Sequence, residues 1–312
     1  MSKLLVTVTA TSFARDSRLQ AEAHKRFPNL DFKFCNPSQP WTKASLCEAI
    51  KATDFWIIGK EDLGTHELQS APNLKGVSKY GVGLDNIDFE ACSSFSVPVY
   101  FEQGVNSQEV AEQAIAMMIG LSRNLFSSAQ NLHQGIWVKN GGNNFSGKIV
   151  SIIGCGHVGE KVARLSKAFS CEVLVNDTLD KSAICNSIGA EQVELEEALS
   201  RADFISLHVP FTEQTYNMIS KSSLTLVKRG VFIVNTSRGE VVDLEAIKQG
   251  IEGKVVSGFG ADVFKEEPFE DKSLFNLGNI HGTAHIAGNS REAVWRMGQA
   301  ALNGIEKFLL DQ

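Results

Sequence analysis

A chain of 312 residues with a net charge of −6, 43% hydrophobic and 21% charged, has the composition of a folded globular protein large enough for two domains. That balance argues against disorder and against nucleic acid or an anionic membrane as the main partner. No apolar run reaches membrane-spanning length, Met1-Ser2-Lys3 leads straight into the short run Leu4-Leu5-Val6, and the six cysteines show no CxxC pair or zinc-like spacing to histidine, so a reduced, cytoplasmic protein without a metal is expected.

From the N-terminus, Leu4 to Val8, Phe32 to Phe34, Phe55 to Ile58, Leu74 to Val77 and Val97 to Tyr100 are short strand-like runs, and Arg18 to Arg26 and Ala44 to Ile50 are helix-like pieces between them. The alternation predicts a first, smaller α/β unit on a parallel sheet. Its loop Lys79-Tyr80-Gly81-Val82-Gly83-Leu84-Asp85-Asn86-Ile87-Asp88 admits two readings. Either the glycines turn backbone N–H groups toward an anion, with Lys79 adding positive charge, or the turn merely caps a helix beginning near Asp88. Ser107 to Leu125 reads as one helix, with Ala111, Ala114, Met118, Leu121 and Leu125 on its apolar face.

The most informative stretch runs from Ile149 to Gly159. Ile149-Val150-Ser151-Ile152-Ile153 is a buried-strand pattern that passes directly into Gly154-Cys155-Gly156-His157-Val158-Gly159, and Val158, Val162, Leu165 and Phe169 then recur at helical spacing. In such a turn Gly154 permits the bend, Gly156 lets the backbone approach a pyrophosphate, and Gly159 allows the helix to sit tightly on the strand, with phosphate at its positive end. The next apolar run, Val173-Leu174-Val175, ends in Asn176-Asp177, about 20 residues on, where a dinucleotide site places the acid that holds the adenosine ribose. An acid there repels a 2′-phosphate and favours NAD; the alternative is a loop Asp177 that caps the following helix.

Strand-like runs at Phe204 to Leu207, Val231 to Val234, Val255 to Gly258 and around Ile280 bring the total in this half to six, alternating with helical pieces such as Val193 to Ala198 and Leu244 to Gln249. Six strands are those of a complete doubly wound dinucleotide fold. Ser290 to Leu310 is helical, with Ala293, Met297, Ala301 and Ile305 on one side, and is predicted to return to cover the first sheet. The expected domains are therefore 1–101 plus 289–312 for substrate and 102–288 for the dinucleotide.

Three polar residues follow strand ends, where ligands of such folds bind: Arg238, Glu267 and His285. Oxidation of a 2-hydroxy acid needs a group that takes the hydroxyl proton, which suits imidazole, and one that anchors the carboxylate, which suits guanidinium. A carboxylate beside the imidazole favours the protonated form that donates in the reverse direction. Singly, each has an ordinary structural reading as a core histidine, a surface ion pair or a solvated acid; their shared placement is what joins them.

In these residues and their order, the chain resembles the D-isomer-specific 2-hydroxyacid dehydrogenase family. The resemblance is carried by Tyr80 to Asp88, Val110-Ala111-Glu112, Arg123-Asn124, the glycine turn at Gly154 to Gly159, His208-Val209-Pro210, Asn235-Thr236-Ser237-Arg238-Gly239, Asp262-Val263-Phe264 with Glu267-Pro268, and His285-Ile286-Ala287-Gly288. It implies an α/β architecture: a doubly wound parallel sheet (Rossmann) binding NAD and a smaller flavodoxin-like α/β substrate domain. It further implies that Arg238 binds the substrate carboxylate and carbonyl, that His285 is the acid/base and that Glu267 is its partner. Val82 and Gly83 would offer backbone donors to substrate, beside Tyr80, Lys79 and Lys60. His157, Val158, Asp177, Val209, Pro210, Thr236, Ser237, Arg238, Asp262, His285 and Gly288 would line the NAD site with Gly154, Gly156 and Gly159. A homodimer through the NAD domain is implied too, with the helix at Ser107 to Leu125 in its interface.

The chain departs from the family's pattern in a few positions. Ala284 stands where a proline usually precedes the histidine, Cys155 replaces an aliphatic residue in the glycine turn, and Gly59 occupies the place of a strand cation that is shifted here to Lys60. The phosphoglycerate dehydrogenase branch is the nearest, which gives 3-phospho-D-glycerate, the entry to serine biosynthesis, as the expected substrate. Glyoxylate or hydroxypyruvate reduction is the alternative within the family, and an NAD(H)-sensing corepressor-like binding protein is the alternative of another class.

Overall fold

The computed structural model describes residues 3–311, which divide into two compact units at Asn106/Ser107 and Gly288/Asn289. The first division lies beyond residue 101 because 102–106 are tied to the C-terminal helix: Asn303 Nδ2 donates to Glu102 Oε1 (3.0 Å) and Arg296 Nε to the Val105 carbonyl (3.0 Å).

The first unit contains strands β1 (Leu5–Val8), β2 (Asp31–Phe34), β3 (Phe55–Ile58), β4 (Gly76–Lys79) and β5 (Val99–Tyr100) in one parallel sheet of order β2-β1-β3-β4-β5. This is the flavodoxin-like order. Its helices are α1 (Thr11–Arg15), α2 (Ser17–Arg26), α3 (Lys43–Ile50), α4 (Thr65–Ser70), α5 (Phe89–Ser94) and α12 (Arg291–Leu310). All four residues of β3 are buried, as a strand covered on both faces requires. One face packs with Met297, Ala301, Ile305 and Phe308 of α12, so the terminal helix does cover this sheet. The other face packs with Leu46, Ile50 and Leu68 from α3 and α4. Each such aliphatic side chain contributes about 1.5–3 kcal/mol on full burial. Strand β4 begins later than the expected Leu74, because Leu74 closes a turn onto Ala71 while Ser78 and Lys79 continue the ladder beside Ile57 and Ile58.

The second unit contains β6 (Ile149–Ile153), β7 (Glu172–Asn176), β8 (Glu191–Gln192), β9 (Phe204–Leu207), β10 (Val231–Asn235), β11 (Val256–Ala261) and β12 (Ile280–Gly282), with helices α6 (Ser107–Ser122), α7 (Leu125–His133), α8 (His157–Ala168), α9 (Ser182–Ile188), α10 (Leu195–Arg201) and α11 (Leu244–Glu252). The seven strands are parallel in the order β12-β11-β10-β9-β6-β7-β8, a doubly wound sheet whose order reverses between β6 and β9. The strand not expected from sequence is β8, two polar residues that pair with Leu174 and Val175.

Ser107 to Leu125 is not one helix. Asn124 adopts φ 53, a left-handed conformation that breaks the ladder and starts α7 in a new direction. Helix α6 is core, with Val110, Ala114, Met118 and Leu121 buried, whereas α7 buries no residue. All six cysteines are free thiols, and among the described residues no helix is long and apolar enough to cross a membrane.

Candidate active site

At the reversal of the second sheet, β6 runs into the glycine turn and α8. Gly154 has φ +91, and a side chain there would meet the His208 carbonyl at 2.8 Å; at Gly159 a Cβ would lie 2.0 Å from the Gly154 carbonyl oxygen. Both positions therefore require glycine, one for conformation and one for contact. At Gly156 the same construction meets nothing within 4 Å, which leaves the backbone open to a ligand. Helix α8 has no side-chain cap, so among the described residues no side chain caps its first turn, which begins at His157 and Val158.

Asp177 follows β7. Its Oδ2 accepts from the Cys155 N–H (2.7 Å) and its Oδ1 from Leu179 N–H (2.9 Å), with Lys181 Nζ at 3.9 Å. It does not cap α9, which starts after Lys181. The acid thus pins the glycine turn to the next strand. On the other side of the reversal, Val209 is half-buried and Pro210 exposed after β9, while Thr236 Oγ1 is buried with no hydrogen-bond partner at the end of β10. An orphaned hydroxyl, an open glycine and an uncapped helix start are what a dinucleotide would satisfy. The residues present fit NAD.

Arg238 is placed by a turn that Asn235 builds. The Asn235 side chain accepts from Ser237 N–H (3.0 Å) and Oγ (2.8 Å) and donates to the Arg238 carbonyl (2.8 Å), while Arg238 Nη1 donates to the Ser237 carbonyl (2.7 Å). Asn235 is fully inside at 1% exposure. An asparagine at a strand end ahead of Thr-Ser is an Asx-turn signal that, read alone, would have marked this role.

His285 and Glu267 come together. The imidazole Nδ1 lies 2.8 and 3.0 Å from the two carboxylate oxygens, and Glu267 Oε1 also accepts from the Phe264 N–H (3.2 Å). Both side chains keep about a third of their surface exposed, 36% and 31%. His285 has φ 54, a strained backbone for a non-glycine residue, of the kind that clusters where side chains must be aimed.

What holds that strain is Asp262, which is 1% exposed. Its Oδ1 accepts from Gln113 Nε2 (3.0 Å), Thr283 Oγ1 (2.5 Å) and Ile286 N–H (2.9 Å), its Oδ2 from Ala287 N–H (2.9 Å), and its carbonyl from His285 N–H (2.9 Å). The histidine loop, with Gly288 at its end, is therefore clamped by a carboxylate, and Ala284 has no rigid proline to do this. Gln113, on α6, could not be tied to this site from sequence. Asp262→Asn is expected to lower turnover about tenfold or more while NADH affinity changes less than threefold, measured by steady-state kinetics beside fluorescence titration. A larger loss of affinity than of turnover would instead place Asp262 chiefly on the cofactor.

In the first unit, the loop after β4 is braced rather than open. Lys79 is 5% exposed; its ammonium donates to the Gly59 carbonyl and to Asn86 Oδ1 (2.7 Å). Tyr80, expected beside the substrate, is 9% exposed with its ring edge-on to Phe13 at 6.0 Å, so the ring belongs to the core. Val82 and Gly83 are half-buried and Lys60 is exposed just beyond β3. Asp88 does cap α5, through the Ala91 N–H (2.9 Å).

The family model described as D-isomer specific 2-hydroxyacid dehydrogenase, NAD binding domain, matches residues 115–287. A glyoxylate reductase of Thermococcus litoralis is 34% identical over 86% of this chain and 83% of its own length. The chain belongs to the D-isomer-specific 2-hydroxyacid dehydrogenases. A D-3-phosphoglycerate dehydrogenase of Methanocaldococcus jannaschii is 32% identical over 86% of this chain, which spans only 52% of that relative. Among solved structures, the TT0316 protein of Thermus thermophilus superposes with a TM-score of 0.90 at 26% identity, covering 99% of this chain and 98% of that one. As a member of this family the chain is an NAD-dependent oxidoreductase of 2-hydroxy acids, and the doubly wound unit is its NAD-binding domain.

Proposed function

We propose that the chain interconverts a 2-oxo acid and its D-2-hydroxy acid through Arg238, His285 and Glu267. The observation that carries this is the bond between His285 Nδ1 and the Glu267 carboxylate (2.8 Å), which orients the ring; we assign Nε2 to the substrate oxygen. Bound NADH supplies a hydride to the carbonyl carbon. As it arrives, His285 gives its proton to the carbonyl oxygen and later regains one from solvent, so charge never accumulates on the alkoxide. Arg238 pairs its fixed cation with the substrate carboxylate, and Glu267 stabilises the imidazolium before transfer.

The substrate pair we assign is 3-phospho-D-glycerate, oxidised to 3-phosphohydroxypyruvate at the start of serine biosynthesis, or the reverse reduction. Supporting it, Lys60 and Lys79 stand at the ends of neighbouring parallel strands, Ile58 being in register with Lys79. The second reading, glyoxylate or hydroxypyruvate, is favoured by the bonds that already occupy the Lys79 ammonium. Relatives named for those two acids also match over 83% and 90% of their own lengths. NADH oxidation with phosphohydroxypyruvate, hydroxypyruvate, glyoxylate and pyruvate, run side by side, decides between them. Preference for the phosphorylated acid, lost in Lys60→Ala, supports the first; preference for an unphosphorylated one supports the second. No turnover of any would favour an NAD(H)-sensing binding protein.

We further assign a homodimer to the NAD-binding domain, through α7 and the segment after it rather than through the buried α6. Leu125, Leu132 and Trp137 there are 52%, 58% and 79% exposed, an apolar strip unusual for an isolated surface. Trp137→Glu is expected to convert dimer to monomer in sedimentation velocity; a wild-type monomer, or an unaffected dimer, would overturn the assignment.

A further inference from the structure

Cys47 stands well before the adjacent His66 and Glu67, yet α3 and α4 bring one ligand atom from each to within 4.8 Å of the others. Glu67 is only 5% exposed although it is a carboxylate. Its Oε2 accepts from the Gly64 N–H (3.0 Å), and the described residues give Oε1 no hydrogen bond. The residue lines a cleft of about 410 Å³ together with Lys43, Asp62, His66, Asn86 and Asp88. The second carboxylate oxygen, bonded to no described residue, is thus left to whatever enters the cleft.

We propose that Cys47, His66 and Glu67 form a site for a zinc-class divalent cation, separate from the residues assigned to NAD and substrate. Thiolate, imidazole and carboxylate are the three donors of borderline-soft metals, and bonds of about 2.0–2.3 Å bring the donor atoms of a tetrahedron somewhat closer than they stand here. His66 is exposed and Cys47 half-buried, so side-chain rotation alone closes the set around an ion. Water completes the fourth position. Binding forms the metal–sulfur bond as the Cys47 thiol releases its proton to solvent. The cation would staple α3 to α4. It would also stiffen the loop after β4, because Leu63, just before α4, is bonded through its N–H to the Asn86 carbonyl (2.8 Å) and through its carbonyl to Asp88 N–H (2.8 Å).

The test is titration of the reduced, chelator-treated full chain with Co²⁺, followed by absorbance. One cobalt per chain with a sulfur-to-cobalt charge-transfer band is expected, bleached by Zn²⁺. The band should vanish in Cys47→Ser, persist in Cys35→Ser and need at least tenfold more Co²⁺ in His66→Gln. Zn²⁺ should raise the Tm of the wild type and leave that of Cys47→Ser unchanged, with wild-type far-UV circular dichroism reporting that all three variants are folded. Absence of the band, or a band that survives Cys47→Ser, would overturn the site.

Discussion

Replacement of His285 by glutamine is expected to lower kcat for oxo-acid reduction by about 10²–10⁴-fold while NADH binds nearly as in the wild type. Glutamine keeps a donor near the same place and a Cβ that the strained backbone already tolerates, so loop geometry is largely retained; what is lost is a proton that can be given and regained. The features we assign to the cofactor sit, by contrast, in the glycine turn, at Asp177 and at Thr236. Stopped-flow hydride transfer together with NADH fluorescence separates the two effects. A kcat within threefold of wild type would remove His285 from proton transfer.

Arg238→Ala should remove the second large contribution. A charge-assisted, paired hydrogen bond to a carboxylate, lost inside a desolvated site, is worth about 3–5 kcal/mol, which corresponds to roughly 10²–10⁴ in kcat/KM. Lysine recovers the charge but not the planar fork, so Arg238→Lys should recover only part of the loss. NADH affinity should hold, because the turn itself is built by Asn235 and Ser237, whose mutual bonds do not involve the guanidinium. Steady-state kinetics over oxo-acid concentration, read against NADH titration, checks this; cofactor binding weakened as much as turnover would reassign Arg238.

Much of this fold was legible because its signals are local. An apolar five-residue strand, glycines at fixed offsets and an acid after the next strand are all written in short stretches, and β6, α8, β7 and Asp177 appear where those stretches stand. Features set by distant partners were not legible. The two polar residues of β8 form a strand only because β7 offers them an edge, and no periodicity exists in two residues. The break at Asn124 interrupts a pattern whose apolar spacing continues unbroken through it. Lys79 reads as a surface cation until Gly59 and Asn86 are folded around its ammonium.

The candidate site divides in the same way. Arg238, Glu267 and His285 are identifiable by residue type at strand ends, and the Glu267–His285 bond needs only that those ends meet. Asp262 reads as one more strand-end acid, whereas four protein donors converge on its carboxylate, one of them from Gln113 on α6. No sequence spacing announces that convergence. The Cys47, His66 and Glu67 grouping was invisible for the same reason, since two helices supply it.

We propose that the Glu267–His285 pair moves the proton while the glycine turn and Asp177 hold the cofactor. Single-turnover mixing of NADH-loaded protein with its preferred oxo acid, for the wild type and Glu267→Gln, tests it most directly. Hydride transfer slowed at least tenfold, with the NADH dissociation constant unchanged within twofold, is expected. An unaltered rate, or a slowing accounted for by weaker NADH binding, would contradict it.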